Sequence, residues 1–125
     1  MNVWIAVMLG GAVGSAGRYG VGLLLRNIYP SFPIATLTVN AVGGLLVGLL
    51  ASYSMGRTDI SDVLRFGLIT GVLGGFTTFS SFSMETLQLW RDGTPVAALL
   101  NIGLNLFLSL GGCMAGLWLA RASTA

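Results

Sequence analysis

The sequence predicts an all-α membrane protein in which four helices cross the bilayer and the third is broken. Composition is the first reason, because 54% of the 125 residues are hydrophobic and only 8% are charged, whereas soluble domains carry about a quarter charged residues. The second is the presence of four long apolar stretches separated by short polar connectors. The third is a cluster of glycines and hydroxyl residues inside the third stretch. We expect one membrane domain over residues 1–125.

The first two spans are predicted over residues 3–25 and 34–55. Both are long enough to cross a hydrocarbon core of about 30 Å at about 1.5 Å per helical residue. Within the first span, only Ser15 and Arg18 depart from an apolar pattern. Since no charged segment precedes it, we interpret it as a span and not as a cleaved signal peptide. The connector before the second span is marked by Pro30 and Pro33.

The third span is predicted over residues 62–90, with Ser61 or Asp62 as its N-terminal cap. Each glycine lowers helix stability by about 1 kcal/mol relative to alanine, so a break is expected near residues 74–78. The residues that predict the break are Gly71, Gly74, Gly75, Thr77 and Thr78. The fourth span is predicted over residues 96–120, with Pro95 well placed at its first turn.

Phenylalanines and hydroxyl residues alternate after the predicted break. Phe76, Phe79 and Phe82 recur every three residues and should share a broad helix face, beside a stripe of serines directed towards Glu85. One interpretation is that the phenylalanines fill the core and the hydroxyls bond to backbone carbonyls. The other is a cavity or pore lining, because hydrocarbon does not tolerate a loosened backbone with unsatisfied polar groups. The combination of features favours the pore lining.

The connectors show almost no charge bias. Arg57, Arg65 and Arg121 lie near helix ends on the side of the termini, and Arg26 and Arg91 lie on the opposite side. A protein inserted in one orientation normally has a clear excess of basic residues in its cytoplasmic loops. Insertion in both orientations and a weakly biased single orientation therefore both remain open. The net charge of +2 is too small and too scattered to indicate a nucleic-acid partner.

Polar residues occur in every span, and one small protomer has few interior positions for them. Such side chains are costly at membrane depth unless they face a bundle interior or water. A homodimer whose two copies build the polar pathways together is therefore expected, with glycine faces permitting close helix contact. The polar residues in question are Arg18, Asn40, Glu85, Asn101 and Asn105.

Three motifs resemble the Fluc/CrcB family of fluoride channels. The strongest is Gly-Gly-Phe-Thr-Thr-Phe-Ser-Ser-Phe-Ser-Met-Glu at residues 74–85. The others are Gly-Ser-Ala-Gly-Arg-Tyr at residues 14–19 and Thr-Leu-Thr-Val-Asn-Ala-Val-Gly-Gly at residues 36–44. The length and the four-span layout agree as well, so the resemblance covers essentially the whole chain.

The resemblance implies a passive channel that exports cytoplasmic fluoride across the bacterial inner membrane and protects against fluoride toxicity. It implies an antiparallel, dual-topology homodimer with two pores, and a structural Na⁺ bound at the dimer centre by backbone carbonyls of Gly74 and Thr77 from both copies. Phe79 and Phe82 would approach fluoride, with Asn40 as an amide donor, and Arg18 would lie near a vestibule. The residues lining or bordering the polar route would be Thr36, Ser80, Ser81, Ser83, Glu85 and Asn105.

Three other classes fit less well. A small dual-topology multidrug exporter would need a carboxylate in the first helix, and this chain has no acid before Asp59. A membrane assembly subunit that transports nothing would leave Asn40 and the hydroxyl residues buried without purpose. An enzyme is the least favoured class, because the chain has no histidine, one cysteine and no paired carboxylates.

Overall fold

The structure is a computed structural model that describes residues 1–124, and it is helical throughout that range apart from its connectors. Short turns join the helices, and the third predicted span consists of four consecutive segments. The elements are α1 (Val3–Leu25), α2 (Ile34–Ser54), α3 (Asp62–Phe66), a π-helical segment (Gly67–Leu73), α4 (Gly74–Phe76), α5 (Phe79–Arg91) and α6 (Pro95–Thr124).

Within residues 1–124, three helical stretches are long and apolar enough to cross a membrane: Ile34–Ser54, Asp62–Arg91 and Pro95–Ser123. The first helix, α1, has 23 residues and therefore sufficient length. Among its apolar residues it contains Arg18 and several glycines. Large apolar side chains are exposed along the bundle, among them Leu24, Phe107 and Trp118. Such a surface suits lipid or a second protein copy and not water.

Side-chain caps begin α1, α3 and α5. The Asn2 side chain accepts a hydrogen bond from the Trp4 backbone N–H at 2.7 Å, which starts α1. Of the two caps considered for the third span, Ser61 is the one used, since its hydroxyl accepts from the Leu64 N–H at 3.2 Å. The last helix, α6, continues to Thr124, beyond the end predicted at residue 120.

The third span changes its backbone geometry twice. The first change is a π-helical winding over Gly67–Leu73, where the sequence predicts a regular helix. The second is an interruption at Thr77 and Thr78, whose backbones are extended, with ψ of 159° and of 120°. Both Thr77 donors, the backbone N–H and the hydroxyl, bond to the Leu73 carbonyl at 3.0 and 2.9 Å. Helical hydrogen bonding thus ends at Thr77 and begins again at Phe79.

Helices α2 and α6 pack closely because glycines bring their backbones together. A side chain at Gly48 would overlap the Cys113 carbonyl, and one at Gly116 would overlap the Leu45 carbonyl. The contact is reciprocal, since each helix contributes glycines that face the other's backbone. Small residues of this kind permit the near approach that stabilises helix pairs in a membrane. This pair is the most extensively packed in the bundle.

Helix α1 packs in the same way against the π-helical segment and α4. A Cβ atom on Gly10 would overlap the Gly67 carbonyl, and one on Gly14 would overlap the Val72 carbonyl. On the opposite side of the contact, a Cβ on Gly75 would lie 2.6 Å from the Gly11 carbonyl oxygen. The first half of the third span is therefore held by α1. Its second half, α5, packs instead against α6.

Candidate functional site

The interruption at Thr77 and Thr78 opens onto a cleft of about 340 Å³ between α2, α5 and α6. Most of its lining is apolar, and a few polar groups converge on it, as is usual for binding sites. The functional side chains that line it are Asn40, Thr77, Thr78, Phe79, Phe82 and Asn105. The structure therefore brings together, around one cleft, side chains that the sequence distributes over three spans.

Asn40 of α2 takes over the hydrogen bonding of the interrupted backbone. Its Oδ1 accepts from the Thr78 N–H at 2.8 Å, and its Nδ2 donates to the Thr78 carbonyl at 3.0 Å. The second Nδ2 hydrogen goes to Asn105 Oδ1 at 2.9 Å. Both amide hydrogens of Asn40 are thus engaged. The Asn40 side chain thus pairs with both backbone groups of Thr78, as a residue of a neighbouring β-strand would.

This arrangement releases two backbone carbonyls from their helical partners. In a continuous helix the Thr78 N–H would bond to the Gly74 carbonyl, but here it bonds to Asn40. The Ser81 N–H would likewise bond to the Thr77 carbonyl, but it donates to the Thr78 hydroxyl at 3.1 Å. The released carbonyls, those of Gly74 and Thr77, are the two that the family resemblance assigns to Na⁺. Carbonyl oxygens are suitable ligands for a hard cation.

Other metal-binding chemistry is sparse in the described part of the chain. Within residues 1–124 there is no cluster of three or more His, Cys, Asp or Glu side chains placed to bind a metal. The oxygen atoms at the interruption belong to backbone carbonyls and to threonine and asparagine side chains.

Arg18 contacts the same interruption from α1. Its Nε donates to the Gly75 carbonyl at 3.0 Å, in a partly buried contact. The guanidinium thus lies at the carbonyl end of the first half of the third span, where the helix dipole favours positive charge. The resemblance assigns Arg18 to a vestibule, and the structure adds this contact with the broken backbone.

The interruption separates Phe76 from the other two phenylalanines of the motif, Phe79 and Phe82. Phe79 and Phe82 form a tilted pair with ring centroids 5.3 Å apart and planes at 55°. Phe82 is buried, whereas Phe79 remains 76% exposed. Phe76 precedes the interruption, and its ring lies within reach of Gly17 and Gly43. The expected face shared by all three phenylalanines does not form, because no continuous helix joins Phe76 to the other two.

The serine side chains are partly engaged with nearby groups. Ser83 donates to the Phe79 carbonyl at 2.9 Å, the backbone bonding that the sequence analysis considered as one interpretation. Ser80 Oγ lies 3.2 Å from the Thr78 hydroxyl and is exposed. Ser81 is half-buried. None of the three lines the cleft that holds the Phe79–Phe82 pair.

Glu85 belongs to a second cleft, of about 460 Å³, beside the connector between α1 and α2. Its Oε1 accepts from the Thr36 hydroxyl at 2.9 Å, and its buried Oε2 has no hydrogen-bond partner. The other charged residues lining this cleft are Arg26 and Asp92. Thr36 of α2 and Glu85 of α5 therefore form a hydrogen-bonded pair in a different cleft from the Phe79–Phe82 pair.

Thr86 is a further polar residue of this region, and it is not among the site residues predicted from the sequence. Its hydroxyl donates to the Phe82 carbonyl at 2.7 Å and accepts from Asn101 Nδ2 at 2.9 Å. Asn105 Nδ2 in turn donates to the carbonyl and to the Oδ1 of Asn101, at 2.9 and 3.0 Å. The one sequence feature that could have indicated a role for Thr86 is its position one helical turn after Phe82.

Comparison with known proteins gives a consistent family assignment. The family model described as "CrcB-like protein, Camphor Resistance (CrcB)" matches residues 5–117. A relative from Paracoccus denitrificans is 44% identical over 96% of this chain and 95% of its own length. Another from Rhizobium meliloti is 45% identical over 98% of both chains, and one from Ruminiclostridium cellulolyticum is 43% identical over 94% of this chain and 91% of its own. All three are named fluoride-specific ion channel FluC.

The first prediction concerns the support that Asn40 gives to the interruption. Replacing Asn40 with leucine leaves the N–H and the carbonyl of Thr78 without their side-chain partner. Each unsatisfied buried group costs about 1–3 kcal/mol, so we expect a clear drop in the unfolding temperature of the purified protein in detergent. Thr38→Val is the matched control, because the Thr38 hydroxyl bonds only to the Ile34 carbonyl of its own helix. Equal unfolding temperatures for the two variants would contradict the prediction.

Proposed function

This chain belongs to the CrcB family, and from that premise we propose that it is a passive fluoride-selective channel exporting cytoplasmic fluoride. It is a multi-pass protein of the bacterial inner membrane and not an enzyme, as its relatives are ion channels. The membrane protein predicted from composition is thus confirmed. The observation that carries the proposal is the cleft at the interrupted helix, where amide and aromatic side chains meet.

The chemistry of this cleft suits a small anion. Fluoride is strongly hydrated, so a narrow pore must replace its water with hydrogen-bond donors or positive partial charges. Asn40 supplies amide hydrogens, and the edges of the Phe79 and Phe82 rings carry partial positive charge. The larger halides would be excluded by the width of the passage.

Asn40 must exchange a partner to bind an ion. Both of its amide hydrogens are engaged in this structure. An anion is a stronger acceptor than a neutral amide oxygen, so fluoride would displace Asn105 Oδ1 and take that hydrogen. The two bonds between Asn40 and Thr78 would persist. Asn40 would then hold the backbone and the ion at the same time.

The remaining polar residues border this passage. The pair formed by Thr36 and Glu85 lies in the wider cleft beside the α1–α2 connector, which we assign to the mouth of the route. Ser80, Ser81 and Ser83 lie on α5, which contributes residues to both clefts, and Arg18 bonds to the Gly75 carbonyl beside the interruption. A carboxylate beside the narrow part would repel an anion. Glu85 lines the cleft beside the α1–α2 connector and not the cleft that holds the Phe79–Phe82 pair.

We further propose that α1 is a fourth span and that two copies associate in antiparallel fashion to form two pores. Phe79 is 76% exposed beside an open cleft, and a second copy would enclose both. The cost of Arg18 at membrane depth falls when its guanidinium bonds to the Gly75 carbonyl. Nearly balanced loop arginines support insertion in both orientations.

A structural Na⁺ would bind where the two interruptions meet. The residues that would hold it are Gly74 and Thr77, through the carbonyls that the Asn40 and Thr78 side chains release. The ion would supply positive charge at the centre of an assembly that conducts an anion.

The driving force for export is electrical. Hydrogen fluoride is a weak acid that crosses membranes as a neutral molecule and dissociates in a near-neutral cytoplasm, where the anion accumulates. A negative-inside potential favours anion exit by about 2.3 kcal/mol per charge per 100 mV. A passive pore therefore suffices to keep cytoplasmic fluoride low and protects the cell against it.

The central test measures fluoride efflux from reconstituted vesicles with a fluoride-selective electrode, using chloride as the comparison ion. We expect passive fluoride flux without chloride flux, and its loss in Phe82→Ile because the ring edge is removed. Phe107→Ile is the control, since Phe107 lies on the exposed face of α6 away from the cleft. Unchanged flux in Phe82→Ile would remove that ring from the route, and absent flux in the unmodified protein would refute the channel.

A second test removes sodium. Exhaustive exchange of Na⁺ for N-methyl-D-glucamine should slow fluoride efflux by about tenfold, which corresponds to about 1.4 kcal/mol on the barrier. Restoring sodium should restore the flux. Efflux that continues at the original rate after the exchange would contradict a structural sodium ion.

A third test addresses orientation. In a Cys113→Ser background, Thr58→Cys and Ser31→Cys introduce single cysteines in connectors that should lie on opposite sides of the membrane. A membrane-impermeant maleimide applied to spheroplasts should label about half of each variant if both orientations occur equally. Complete labelling of one variant and none of the other would establish a single orientation.

A further inference from the structure

The second half of the third span requires an anchor of its own. The extended residues Thr77 and Thr78 separate α5 from the preceding helix, so helical hydrogen bonds do not fix its position. Helix α5 packs mainly against α6 and only slightly against α2. The aromatic pair lies on α5, whereas the amides it must face lie on α2 and α6. Their separation therefore depends on contacts that hold α5 against its neighbours.

A directed series of hydrogen bonds provides such a contact. Asn40 donates to Asn105 at 2.9 Å, and Asn105 donates to Asn101 at 3.0 Å. Asn101 then donates to Thr86 at 2.9 Å, and Thr86 donates to the Phe82 carbonyl at 2.7 Å. The four bonds run in one direction from α2 through α6 to α5, and bonds aligned in this way polarise and strengthen one another.

Backbone groups fix the direction of the series at both ends. A carbonyl can only accept, so the Thr86 hydroxyl must direct its hydrogen to Phe82 and accept from Asn101 through a lone pair. At the other end, the N–H and carbonyl of Thr78 orient the Asn40 amide. The amides thus have one consistent arrangement, in which each directs its Nδ2 hydrogens towards the next acceptor.

Asn101 is the central member of the series. Its side chain is fully buried, with 0% exposure, and a buried amide retains its place only when its polar groups are satisfied. It connects Thr86 on α5 with Asn105 on α6. It lies outside the residues lining the 340 Å³ cleft. Its position therefore indicates an effect on the cleft that is exerted through other residues.

We propose that Asn101 and Thr86 are positioning residues that hold Phe82 at a set distance from the Asn40–Asn105 amide pair and thereby set the selectivity for fluoride. The inference rests on the proposed channel function. A ring edge and an amide hydrogen can stabilise one small anion together only when their spacing matches its radius. A displaced α5 would widen that spacing. The wider spacing would weaken the binding of fluoride more than the binding of the larger chloride ion.

The test uses Thr86→Val, which removes the hydroxyl and keeps the shape of the side chain. We expect fluoride efflux to slow by about tenfold, since small misplacements of reacting or binding groups have effects of this size or larger. The fluoride concentration for half-maximal flux should rise, and the ratio of fluoride to chloride flux should fall. Thr86→Ser restores the hydroxyl and should restore all three values to within about twofold of the unmodified protein.

Thr38→Val is the matched control. Thr38, like Thr86, donates to the carbonyl four residues earlier at 2.7 Å, but no asparagine donates to it. A loss of selectivity in both valine variants would show that removing any such hydroxyl suffices, and would overturn the proposal. Asn101→Leu gives an independent measurement, and the double variant with Thr86→Val should be no slower than the slower single variant. Multiplicative effects in the double variant would overturn the connection between the two residues.

The experiment separates this inference from the proposed function. Absence of fluoride flux in the unmodified protein would refute the channel itself. Flux in the unmodified protein together with unaltered flux, half-maximal concentration and selectivity in Thr86→Val would refute the positioning role alone. Elution volume and unfolding temperature are measured for each variant, so that a folding defect in Asn101→Leu is recognised and the comparison then rests on the Thr86 pair.

Discussion

The structure depends on satisfying the backbone N–H and carbonyl of Thr78 within a bundle that lies in lipid. An extended residue at membrane depth has no water to pair with, and the cost of leaving its groups unpaired is several kcal/mol. Asn40 meets this demand with one side chain by accepting from the Thr78 N–H and donating to its carbonyl. The Thr78 hydroxyl and Arg18 pair the neighbouring groups. The packing of α1, α2 and α6 serves to bring these partners to the interruption.

Glycine contacts make that arrangement possible. A side chain at Gly43 would overlap the Thr77 methyl group, and one at Gly14 would overlap the Val72 carbonyl. Larger residues would move α1 and α2 away from the third span and carry Arg18 and Asn40 out of hydrogen-bonding range. The small residues that first suggest dimer contacts are thus largely used within one protomer, where they set the distances at the site. The exposed apolar surface remains for lipid and for a second copy.

The sequence predicts the local features of this protein well and its long-range contacts poorly. Spans and connectors follow from hydropathy and prolines, and the residues around the interruption are locally unfavourable to a helix. The family assignment also follows from contiguous motifs. The partnership of Asn40 with Thr78 joins residues 38 positions apart, and that of Thr36 with Glu85 joins residues 49 apart. Periodicity within one helix carries no information about such pairs. The π-helical segment Gly67–Leu73 arises where α1 packs against glycine-rich backbone, and it was missed for the same reason.

One interruption can serve two ions of opposite charge because it separates donors from acceptors. Whenever a side chain takes an N–H from a helix, the carbonyl that would have received it is left with free lone pairs. The Asn40 and Thr78 side chains do this at Gly74 and Thr77, and the carbonyl oxygens of these two residues are the ones proposed to bind sodium. The amide hydrogens of Asn40 and the ring edges of Phe79 and Phe82 lie around the cleft proposed for fluoride. A continuous helix pairs every such group internally and offers neither surface. The broken backbone is therefore the origin of both proposed sites, and Asn40 belongs to each of them.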